Sequence, residues 1–200
     1  MATHFVVDLE TLGIRDTAVV LSVGLAILDD ETGDITSHHW ILDADEQAER
    51  GRTIDYGTVR WWATVPDNEA RNAVFDNDGA TVSVCRFVSE FCRLMYAMRP
   101  VAVWGNSNSF DLHKLYSLSE QYADECLEYD EHACATTLQE QIPFYKEGDI
   151  RSLGHVLTRE QRHALVPFSG IKHHAEYDAS HEARVLWEHI KIRRDHYGEE

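Results

Sequence analysis

Two hundred residues are enough for one domain with a core of its own. An apolar share of 44% and a charged share of 26% are ordinary, but 18 basic against 35 acidic residues leave a formal charge of −17. That balance excludes a broad basic surface gripping long nucleic acid; any phosphate contact has to be short and local, with metal ions supplying much of the positive charge.

In chain order, residues 4–9 (HFVVDL) read as a buried strand and 19–28 (VVLSVGLAIL) as a second, longer one. The cluster DDETGD at 29–34 is a hairpin turn by composition, and ITSHHWIL at 35–42 is the return strand, which makes three consecutive antiparallel strands. Residues 43–57 are polar and irregular. Helical pattern follows at Thr58–Ala63 and Asp67–Phe75, then more clearly over 82–98, where Val84, Phe87, Val88, Phe91, Leu94, Met95 and Met98 recur at three/four spacing. Pro100 ends that helix, VAVW at 101–104 is a short buried strand, and the turn GNSNSF leads into a helix from Asp111. Residues 124–148 carry no clear pattern. Asp149 reads as the N-cap of a helix through Leu157, and a last helix, beginning at Asp178, places Ala179, Ala183, Leu186 and Ile190 on one stripe. Hairpin strands followed by alternating helix and strand predict an α/β fold, a mixed sheet flanked by helices in one domain.

The four cysteines (85, 92, 126, 134) show no C-x-x-C pair, so buried free thiols are expected. The N-terminus has no charged segment followed by an apolar one, and no apolar run nears the roughly 18 residues a bilayer span needs. A cytoplasmic protein with no membrane association is the expectation.

Asp8 and Glu10, two apart on a strand, point to the same face. Either they face solvent on an edge, or they need a cation, and carboxylate oxygens suit Mg²⁺ or Mn²⁺. Asp111 follows a buried strand at a strand-to-helix turn, where a ligand role and a helix cap explain it equally. His173 and His174 precede Asp178 by five and four residues; a loop imidazole near a metal centre can act as general base, and a solvated loop residue is the plain alternative.

D-x-E in the first strand, an Asp after a mid-chain strand and His173-HAEY-Asp178 together resemble the DEDDh exonucleases of the ribonuclease H-like superfamily. The likeness runs from about residue 4 to 188. Trp61-Trp62, WGNSNSFDLHKL and GDIRSL look like the branch holding phage-type exonuclease A and the small bacterial 3′–5′ exoribonucleases. The resemblance implies a ribonuclease H-like sheet and a metal-dependent 3′–5′ exonuclease acting on single-stranded RNA or DNA 3′ ends and releasing 5′-mononucleotides. Asp8, Glu10, Asp111 and Asp178 would hold two ions, Mg²⁺ or Mn²⁺, roughly 4 Å apart, with His173 as base. Thr11 would contact the 3′-hydroxyl and Leu12 the terminal base, while one of Trp61 and Trp62 would stack on a base and the other enter the core. Asn106 is a further substrate candidate. Lys114 and Lys172 are candidate phosphate contacts. Asp149 and Arg151 either form a structural ion pair or position the site. A homodimer is expected by base rate and by resemblance. Two other readings remain: hydrolysis of short oligonucleotides, dinucleotides or nucleotide caps, and a binding module that has lost its chemistry.

Overall fold

The computed structural model describes residues 2–65, 68–75, 81–153 and 159–198. Five strands form one sheet: β1 (Thr3–Thr11), β2 (Val20–Asp29), β3 (Ile35–Ile41), β4 (Ala102–Gly105) and β5 (Glu147–Asp149), in the order β3-β2-β1-β4-β5. The pairs β1/β2 and β2/β3 are antiparallel, while β4 pairs parallel to β1 and β5 parallel to β4. The expected mixed sheet with three antiparallel leading strands is therefore present.

The helices are α1 (Ala44–Glu49), α2 (Tyr56–Thr64), α3 (Asn68–Phe75), α4 (Val84–Met98), α5 (Asn108–Gln121), α6 (Ala123–Tyr129), α7 (Leu138–Gln141), α8 (Ile150–Leu153), α9 (Arg159–Leu165) and α10 (Ala175–Tyr197). No helix among the described residues is long and apolar enough to cross a membrane. All four cysteines are buried and free.

Side chains alternate across β1, so it feeds two cores. Phe5, Val7 and Leu9 join the apolar stripe of α4 (Phe87, Val88, Phe91) and Leu112 and Leu115 of α5. Val6 joins Ala26 and Leu28 of β2 against Ala179, Ala183 and Leu186 of α10. The last helix can lie this close because residue 24 is glycine: a Cβ there would collide with the Ala175 carbonyl.

Several boundaries differ from the sequence expectation. The segment 43–57, expected to be irregular, contains α1, capped by Asp43, whose carboxylate accepts from Glu46 N at 3.0 Å. Its buried residue is polar: Gln47 Oε1 accepts from Val20 N and Gln47 Nε2 donates to Val20 O, both at 2.8 Å, so an amide closes the helix onto the sheet where an apolar stripe would normally do so. The unassigned stretch 124–148 holds the end of α6, α7 and the start of β5. Asp149 accepts from Ser152 N at 3.1 Å, as a cap would; α8 runs to Leu153, and the remainder of the helix expected through Leu157 lies outside the described residues. Asp67, expected to begin a helix, lies outside them too, and α3 is described from Asn68.

Two helices start three residues before the aspartate expected to open them. The N-caps are Ser107 for α5 and His174 for α10, both in extended backbone, so Asp111 and Asp178 are the fourth residues of their helices. Each carboxylate reaches back one turn to its cap: Ser107 N donates to Asp111 Oδ2 at 3.3 Å and His174 N to Asp178 Oδ2 at 3.1 Å. The positive end of each helix thereby holds a carboxylate in place.

Candidate active site

The sheet face that is apolar at Val6 turns acidic two residues further along. Asp8 and Glu10 continue that face, opposite Gly24 and Ser22 of β2, and α10 brings Asp178 onto them. One oxygen from each of Asp8, Glu10 and Asp178 lies within 4.8 Å of the others. Asp111 arrives from α5, 3% exposed, and its approach needs Gly105, since a Cβ at 105 would stand 2.8 Å from Asp111 Oδ2. These four carboxylates line one cleft of about 490 Å³ with His173, Thr11, Trp61, Trp62 and Asn106.

A fifth carboxylate, Glu182, lines the same cleft. It is 7% exposed, one turn after Asp178 on α10, and its buried Oε2 has no hydrogen-bond partner among the described residues. The i, i+4 spacing from Asp178 was the available signal for it, because residues four apart share a helix face.

So many half-buried and buried carboxylates in one cleft resist ionising. Burial pushes Glu10 up to about 8, with Asp178 and Asp111 adding to it. Burial likewise raises Asp111 to about 7, against hydrogen bonds from Ser107 and Leu9 and the charges of Lys114 and Arg151. Asp8 and Glu182 stand well above the usual carboxylate range, first through burial, then through one another's neighbours: Glu182 presses on Asp8, and Asp111 and Asp178 on Glu182. Asp178 is raised by burial and partly relieved by the N–H groups of His173 and His174. A crowded set of hard oxygen donors, one of them orphaned, fits divalent cations such as Mg²⁺ or Mn²⁺.

The two adjacent histidines part company. His173 has φ 64°, in the left-handed region that few side chains adopt, and its ring stands edge-on to Trp61 at 4.9 Å on the cleft. His174 turns to His39, with ring centroids 4.4 Å apart.

The adjacent tryptophans divide as helical geometry requires. Trp62 is 2% exposed and donates Nε1 to Thr11 O at 3.0 Å, bracing the end of β1 from below; Trp61 is 42% exposed at the rim. Thr11 Oγ1 donates to Gly13 O at 2.8 Å. Leu12 packs toward Val19, Leu21 and Trp62, and the apolar residue on the rim is Ile14, 72% exposed. Asn106 is exposed on the cleft and its carbonyl accepts from Arg151 N at 3.3 Å.

Lys114 is fully buried, with Nζ donating to Ile14 O at 3.1 Å and Phe110 O at 3.4 Å, so it ties the loop after β1 to α5 and is not placed to meet a phosphate. Lys172 is exposed, 5.8 Å over Phe168, outside the cleft. No ion pair joins Asp149 to Arg151 among the described residues; Arg151 is an exposed cation on the cleft wall. A larger cavity of about 850 Å³ opens beside α4, but its only carboxylate, Asp130, is occupied by Arg93 and Ser89. The carboxylate cleft is therefore the candidate site.

The family model for the Rv2179c-like 3′–5′ exoribonuclease domain matches residues 3–190. Among solved structures, cell-death related nuclease 4 (CRN-4) is similar at a TM-score of 0.50 and 15% identity, over 95% of this chain and 64% of that one; the likeness is one of fold. The chain thus spans just under two thirds of that structure's length. Among curated proteins none matches.

Proposed function

The chain belongs to the Rv2179c-like family of 3′–5′ exoribonuclease domains, and from that premise we propose that it removes 5′-mononucleotides from the 3′ end of single-stranded RNA in a divalent-metal-dependent hydrolysis. The observation that carries this reading is the convergence of Asp8, Glu10, Asp111 and Asp178 from β1, α5 and α10 on one cleft beside His173.

Asp8, Glu10, Asp111 and Asp178 would hold the ions, and Glu182 stands within the same charge cluster. A pair of divalent ions, when bound, supplies Lewis acidity at the phosphodiester and makes water a better nucleophile. His173 accepts the proton of the attacking water, in a ring orientation set by its left-handed backbone and by Trp61. The water oxygen attacks phosphorus, the bond to the 3′ oxygen of the preceding nucleotide breaks, and that oxygen takes up a proton from solvent and leaves as the new 3′ hydroxyl. Trp61 offers its exposed ring to the terminal base, and Thr11 borders the end of the chain. Arg151, exposed on the cleft, is the cation available to the phosphate.

The short footprint follows from the charge. With a balance of −17 and Arg151 as the exposed arginine on the cleft, binding cannot depend on a long basic track. Oligonucleotides of two to five residues are therefore expected to be cut nearly as fast per molecule as long ones. The test is product analysis of labelled RNA, DNA and dinucleotides with Mg²⁺ and with Mn²⁺, beside Asp8→Ala. Mononucleotides released by wild type alone support the reading; internal fragments, or equal release by Asp8→Ala, overturn it.

A further inference from the structure

A second cluster of metal-ligating groups lies on the far side of the α10 N-terminus. We propose that His39, His174 and Glu176 form a separate site for a transition ion of the Zn²⁺ or Co²⁺ class, joining the edge strand β3 to the start of α10.

The sheet register builds it. His39 pairs with Gly24, the residue over which the Ala175 carbonyl lies, so the His39 ring emerges beside His174. The two ring centroids are 4.4 Å apart with planes inclined by 35°. One donor atom from each of His39, His174 and Glu176 falls within 4.8 Å of the other two.

Two unsatisfied atoms point to a ligand. His39 Nε2 and His174 Nδ1 are both buried, and neither has a hydrogen-bond partner among the described residues. A buried polar atom left unpaired is costly, and two such atoms on touching rings are what a shared cation relieves. Two imidazoles and one carboxylate make a donor set suited to Zn²⁺ or Co²⁺, unlike the all-oxygen cleft, which suits harder ions. The carboxylate is already supported: Ser37 Oγ, on the same face of β3 as His39, donates to Glu176 Oε1 at 2.6 Å.

An ion here fastens β3 to the segment that carries His173 on one side and Asp178 on the other. None of its three donor residues lines the carboxylate cleft, so the two sites can be filled and tested separately.

The test is visible absorption of the chelator-treated full chain titrated with Co²⁺, with Mg²⁺ in excess to fill the cleft. One equivalent of Co²⁺ is expected to develop a ligand-field band. His39→Ala and the near-isosteric Glu176→Gln are each expected to weaken binding by at least about tenfold, while Asp8→Ala keeps the band. Glu176→Gln decides the matter if His39→Ala does not fold. The proposal is overturned if wild type shows no saturable Co²⁺ binding, if both variants bind as wild type does, or if Asp8→Ala abolishes the band.

Discussion

Phe5, Val7 and Leu9 turn from β1 into a dry core against α4 and α5, whereas Val6, Asp8 and Glu10, alternating with them on the same strand, start under α10 as apolar packing and end as charge. The first set faces close-packed aromatics, including Phe5 edge-on to Phe91 at 6.1 Å. The second faces Asp178 and Glu182, which raise its charge problem further. Apolar packing and carboxylates are thus separated by the two-residue period of a strand, and a slip of one residue in register would exchange them. The acidic half carries carboxylates that burial and mutual repulsion keep from ionising.

Substitutions on the two faces should therefore fail in different ways. The largest effect is expected at Asp8→Ala: mononucleotide release falls by roughly 10⁴-fold, about 5 kcal/mol in the barrier, while the melting temperature holds or rises because a buried carboxylate is gone. Next, Phe87→Ala on the dry face should cost about 3–5 kcal/mol of stability in urea unfolding, with activity per folded molecule retained. A matching loss of stability in Asp8→Ala would erase the distinction between the faces.

The third effect concerns pH. Glu10 and Asp111 bind protons more tightly folded than unfolded, so their contribution to the metal-free fold is complete below the ordinary carboxylate range. It is lost as pH rises through about 7 and about 8. Thermal melting of the chelated protein should show a fall from pH 5 to pH 8. Mn²⁺ at about a hundred times its dissociation constant at pH 8 should restore about 2.7 kcal/mol per bound ion, and the same Mn²⁺ concentration should restore less at pH 6. A metal-free melting temperature that rises over this range would contradict the burial of these carboxylates. The smallest effect is expected at the rim, where Trp61→Ala should weaken binding of short single-stranded RNA by about 1–3 kcal/mol in equilibrium titration, and Trp61→Phe by less.

The same contrast explains what could be read from the chain alone. The apolar elements announce themselves: β1 and β2 were legible as apolar runs, β3 as the return strand after a turn cluster, and α4 through three/four spacing. The acidic face has no such pattern, and Asp8, Glu10, Asp111, His173 and Asp178 were legible through a family resemblance of motif spacing. Asp111 shows why position alone was ambiguous. A capping contact and a place in the cleft are both true of it, because the Ser107 N–H that it accepts is what aims it. Glu182 escaped because a glutamate on a charged helix looks solvated until α10 is docked against β1. Around the turn at Thr11–Gly13, Leu12 packs half-buried toward Val19, Leu21 and Trp62 while Ile14 stands exposed, a division that no periodicity in the chain announces. The amide-locked α1 and the three-residue β5 lack any apolar repeat that could have marked them.

The claim that the acidic half of the sheet face exists to hold cations is tested most directly by counting them. Calorimetric titration of Mn²⁺ into the metal-free protein, with His39→Ala in every sample to silence the imidazole cluster, should show two ions bound. Their affinity should rise from pH 6 to pH 8 as the raised carboxylates release their protons, and Asp8→Ala should weaken it by at least about tenfold. Binding that ignores both pH and Asp8→Ala, or no binding at millimolar Mn²⁺, would contradict the account.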